Sequence, residues 1–111
     1  MSNDKPNWEL LRQLWDEHMQ APFPPRLRGA DVAGVDFVSI DSYTSGCVHT
    51  ALFHALDDYR RRALAGCIEG LEKILPHIED GCELEYFERL HKMAVVLSAL
   101  DEAQTDTRPL C

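Results

Sequence analysis

PFPPRLRGADVAGVDFVSIDSYTSGC, Pro22–Cys47, is the one stretch of this 111-residue chain that does not read as amphipathic helix, and the fold turns on it. Pro22, Pro24 and Pro25 each remove a backbone donor and push the preceding residue toward extended geometry, so a helix must end before them. The chain crosses the molecule there. Arg26 and Arg28 flank Leu27 with a period of two, which lets both guanidinium groups point the same way and makes them candidates to hold an anion or a carboxylate. Val35-Asp36-Phe37-Val38-Ser39-Ile40 has the β-branched and aromatic density of a short strand. Such a strand would pair with 26–32 as a small hairpin, pair with another chain, or give way to irregular structure. Asp31, Asp36 and Asp41 recur at five-residue steps. Around a cation or an amine they would be ligands; taken locally they are a turn residue, a strand edge and the N-cap of the next helix.

Upstream, Pro6 suits a first helical position, and Trp8, Leu11, Trp15, His18 and Met19 recur at helical steps, with Leu10 and Leu14 widening the apolar side. Downstream, Asp41 would start a helix reaching about Ala55, with Cys47, Val48, Ala51, Leu52, Ala55 and Leu56 on one arc. Asp57 or Asp58 would cap a third helix bearing Leu64, Cys67, Ile68, Leu71, Ile74, Leu75 and Ile78, ended or kinked by Pro76 near Leu75. Arg60 projects on that same side and would bridge to a carboxylate or lay its stem along the core.

A fourth helix would run from about Cys82 to Ala103 after a turn at Asp80 and Gly81. Its core stripe is Leu84, Phe87, Leu90, Ala94 and Leu97. Beside that stripe lies a second apolar arc, Tyr86, Met93, Val96 and Leu100. A helix apolar over more than half its circumference is either central to the fold or half of an interface. This arc is therefore the candidate partner face.

The length suits a single domain over 1–111, with 1–5 and 105–111 frayed. No apolar run reaches the roughly 20 residues that span a bilayer, and the start has no basic segment leading into an apolar one, so a cytoplasmic location is expected. The net charge of −8 opposes binding to a phosphate backbone. From Gly66 to Asp106 ten acidic residues face only Lys73, Arg89 and Lys92, a surface that would complement a basic protein as well as keep the molecule solvated.

Four cysteines and five histidines raise the question of a metal. Ligands on one helix face need three- or four-residue spacing, and no Cys/His pair has it, so no metal or other cofactor is expected; a zinc site would have to be assembled from distant positions such as Cys47, His49, His77 and Cys82. Free thiols are the default without a secretory context. Cys47 follows a glycine near a helix start, a position that suits a nucleophile, but the sequence assigns it no histidine base. There is no phosphate-cradling glycine loop and no nucleophile elbow, and no residue is assigned a catalytic role.

The combination Trp15-Asp16-Glu17-His18, Pro22-Phe23-Pro24-Pro25-Arg26-Leu27-Arg28-Gly29, Val35-Asp36-Phe37-Val38 and Asp41 through Gly46-Cys47 resembles a group of small uncharacterised bacterial proteins, chiefly actinobacterial. The resemblance covers roughly Trp8 to Leu75. It implies a self-contained bacterial domain and brings no catalytic residues with it.

The sequence thus predicts an all-α or mostly α domain of four helices around one core, with an extended or hairpin segment between the first two. The expected function is a non-enzymatic protein-interaction module, acting as a homodimer through Tyr86, Met93, Val96 and Leu100 or as the acidic partner of a basic protein; an immunity or antitoxin-like role would fit. The rival is a small-molecule or metal-binding protein using Arg26, Arg28, Asp36, Asp41 and Cys47.

Overall fold

The computed structural model describes residues 6–107 and is mostly helical, with four helices and a two-stranded hairpin. Helix α1 spans Trp8–Gln20 and is capped by Asn7, whose side chain accepts the Leu10 N–H at 2.7 Å. Pro6 stands before the cap and not inside the helix. Leu11, Leu14 and His18 form the buried line. Trp8 and Trp15 flank it half-buried and Met19 is 54% exposed, because the stripe centres on the leucines and leaves the tryptophans at its edges.

The prolines end α1 as expected, and a 3-10 turn at Pro25–Leu27 carries the chain across. Strands β1, Asp31–Val32, and β2, Val35–Asp36, pair antiparallel with Asp31 opposite Asp36. Ala33 and Gly34 form the turn with φ of 52° and 78°, the two left-handed positions of a type I′ hairpin.

The expected strand over 35–40 is only two residues long. Helix α2 spans Phe37–Phe53, and its cap is Asp36, which accepts the Ser39 N–H at 2.8 Å. Asp41 is therefore not the N-cap but lies a turn inside the helix. Phe37, Ile40, Thr44, Cys47, Val48 and Ala51 are buried at helical spacing, and that burial outweighs the strand preference of Val, Phe and Ile.

Helix α3, Asp58–Ile74, is capped by Asp57 as expected, and Pro76 closes it through a 3-10 turn at Leu75–His77. The long-range ion pair that secures it uses Arg61, not Arg60: Arg61 Nε donates to Asp101 at 2.7 Å. Helix α4, Gly81–Thr107, begins at Asp80, whose carboxylate accepts the N–H groups of Cys82 and Glu83 at 2.9 and 3.0 Å. Residues 105–107, expected to fray, continue α4; 1–5 and 108–111 lie outside the described residues.

Helix α4 packs against each of the other three, and α2 and α3 pack on one another as a helical hairpin. This centrality explains its two apolar arcs and corrects the interface expectation. Tyr86, Met93, Val96 and Leu100 are all within the core, with Met93 fully buried. An isolated surface helix needs one apolar stripe; a helix surrounded by three others needs several. Among the described residues no helix is long and apolar enough to cross a membrane.

Candidate binding cleft

The crossing segment meets the first turns of α4, and their junction leaves a cleft of about 430 Å³. Pro22, Pro24 and Pro25 line one side, with Asp80, Glu83 and Tyr86 on the other. The prolines hold their wall in a nearly fixed shape, because each has one backbone torsion set by its ring.

Arg26 spans the cleft edge and binds Glu83 through two bonds, Nε to Oε2 at 3.0 Å and Nη2 to Oε1 at 2.6 Å. Glu83 is 8% exposed, so it depends on this partner and on the first turn of α4 for compensation. The Glu83 bonds also hold the Arg26 proton more firmly than in a free guanidinium. On the far side of the pair lies a second cavity of about 240 Å³, reaching Leu27, Phe37 and Ile78, so Arg26 and Glu83 partition two spaces.

Tyr86 forms part of the floor. Phe23 stands edge-on to it with ring centroids 5.7 Å apart, and the Arg89 guanidinium lies 5.8 Å from its ring centre. Beneath, the Tyr86 hydroxyl donates to Asp41 Oδ2 at 3.0 Å, while His18 Nε2 meets Asp41 Oδ1 at 2.9 Å. This network joins α1, α2 and α4. Burial, then the Asp41 charge, pushes the Tyr86 phenol above its ordinary range. His18 Nδ1 is buried with no hydrogen-bond partner.

The five expected ligand residues do not converge. Arg26 lines the cleft, whereas Arg28 lies 5.3 Å from the Phe23 ring centre. Asp36 caps α2, Asp41 belongs to the buried network, and Cys47 is buried between α2 and α3 with the Arg60 carbonyl 3.9 Å from its sulfur. The distant metal set does not assemble: among the described residues no three His, Cys, Asp or Glu side chains stand together as metal ligands. His49 lies between the Trp15 and Phe53 rings instead, at 5.6 and 5.2 Å.

Nothing in the sequence marks Glu83, Asp80 or Arg89 as cleft residues. Asp80 and Glu83 stand at a helix start, where acidic residues are ordinary, and Arg26 is 57 residues away from its partner. A proline-fixed wall ending in an arginine was the available signal.

Comparison with protein-family models, curated proteins and solved structures finds no match to this chain.

Proposed function

We propose that the chain is a binding module that takes a basic segment of a partner protein, bearing an apolar residue beside its lysine or arginine, into the cleft between the crossing segment and α4. The observation that carries this reading is the charge balance of the cleft. Asp80, Glu83 and Glu85 outnumber Arg26 and Arg89 among its lining residues; Glu83 is matched by Arg26 and one Asp80 oxygen caps α4, which leaves the exposed Glu85 to take a cation. The net charge of −8 extends the same preference over the whole molecule and would speed encounter with a cation. The prolines and Tyr86 supply apolar walls for the flanking side chain, and a rigid wall costs little to order on binding.

The test is selection of displayed random hexapeptides on the wild-type protein and on a variant with Pro22→Lys and Glu85→Lys, both exposed cleft positions. Enrichment of basic-apolar hexapeptides on the wild type, weakened at least tenfold on the variant and by raised salt, is the expected outcome. Enrichment of acidic sequences, or equal binding to the variant, would overturn the reading.

A further inference from the structure

Cys47 on α2 and Cys67 on α3 are 3% and 4% exposed and belong to the same core. Along the helical hairpin they stand within about one turn of each other: Cys47 lies about 9 Å before the end of α2 and Cys67 about 13.5 Å after the start of α3 by the helical rise. The Cys47 sulfur rests on the face of α3 that carries Arg60, Leu64 and Cys67, 3.9 Å from the Arg60 carbonyl. Both are free thiols. Each follows a glycine, Gly46 and Gly66, and the space where a side chain would stand on either glycine is open.

We propose that Cys47 and Cys67 are an oxidisable dithiol that closes to a disulfide between α2 and α3 when the protein meets a hydroperoxide. Cys67 reacts first. Its thiolate attacks one peroxide oxygen, forming an S–O bond as the O–O bond breaks and releasing water once the leaving hydroxide is protonated. The Cys47 sulfur then attacks the Cys67 sulfur; the S–S bond forms, the S–O bond breaks, and the departing hydroxide takes the Cys47 proton as a second water. The two thiols lose two electrons and hydrogen peroxide gains them.

The order follows from the surroundings. The Cys67 thiol is shifted down because its thiolate is stabilised first by the Cys47 S–H, and Cys47 is correspondingly shifted up. Thr44 adds a smaller share of the same stabilisation. A Cys67 thiolate competes with the Arg60 carbonyl for the Cys47 S–H, which draws the resolving sulfur toward it.

The full chain carrying Cys82→Ser and Cys111→Ser is exposed while folded to hydrogen peroxide, then denatured and alkylated. The expected result is loss of both alkylation sites with a mass decrease of two hydrogens, a linked 47–67 peptide in a non-reducing digest, and recovery of both sites with dithiothreitol. A Cys47→Ser version should instead trap a dimedone adduct on Cys67. Two fully alkylated thiols after oxidation, or oxygen additions without the linked peptide, would overturn the proposal.

Discussion

At the scale of single residues, the Asp41 carboxylate is the point where three helices are tied. It receives His18 from α1 and Tyr86 from α4 while standing on α2 itself. Removing the Tyr86 hydroxyl with Tyr86→Phe should lower unfolding free energy by about 1 kcal/mol, measured by urea denaturation at neutral pH, because a half-buried carboxylate loses a donor. The pH dependence has a definite sign. The unfolded phenol ionises near about pH 10 while the folded one stays protonated, so the folded state binds more protons above that point. This contribution is intact below pH 10 and is lost as pH rises toward the raised folded value. Wild-type stability should thus fall more steeply than that of Tyr86→Phe between pH 10 and 11, by at most about 1.4 kcal/mol per pH unit. Equal slopes would mean the phenol is not shielded.

At the scale of elements, α2 and α3 touch where Gly70 faces Ile40. A β-carbon on Gly70 would stand 3.0 Å from Ile40 Cδ1, while Gly66, one turn earlier, has open space beside it. The two glycines should therefore respond in opposite directions. Gly66→Ala should stabilise by about 1 kcal/mol through helix propensity, and Gly70→Val should cost about 1–3 kcal/mol through overpacking, both read from thermal or urea unfolding. Stabilisation by both would show that the helices separate freely. The helices themselves were legible from spacing: Asp57 as a cap, the α3 stripe and the stop at Pro76 all stand as read. The start of α2 was not, because Asp36 and Asp41 each precede a run suited to a helix, and the apolar run between them fits a strand equally well. Only the burial of Phe37 and Ile40 against other elements decides between them. The cleft was legible in one wall only. Pro22–Arg26 announced a rigid crossing, but nothing local to Glu83 points to a partner 57 residues distant.

At the scale of the molecule, α4 is the helix around which the others gather. Its second apolar arc is core, so Met93→Glu with Leu100→Glu should unfold the protein and not merely dissociate a complex. Loss of helical circular dichroism and of a cooperative transition is the expected result; a folded monomer would return that arc to the surface. The size of the effect follows from Met93 being fully buried, since a carboxylate there has no partner and no water.

The pairing of α1 with α4 has a further consequence in time. During synthesis α1 leaves the ribosome before its main helix partner has been made, so Leu11 and Leu14 must wait uncovered while the intervening segments are translated. The hairpin of α2 and α3 has no such delay, because its two halves are neighbours in the chain. Nascent chains halted before α4 should therefore hold a loosely attached α1, open to chaperones, beside a helical pair already in contact.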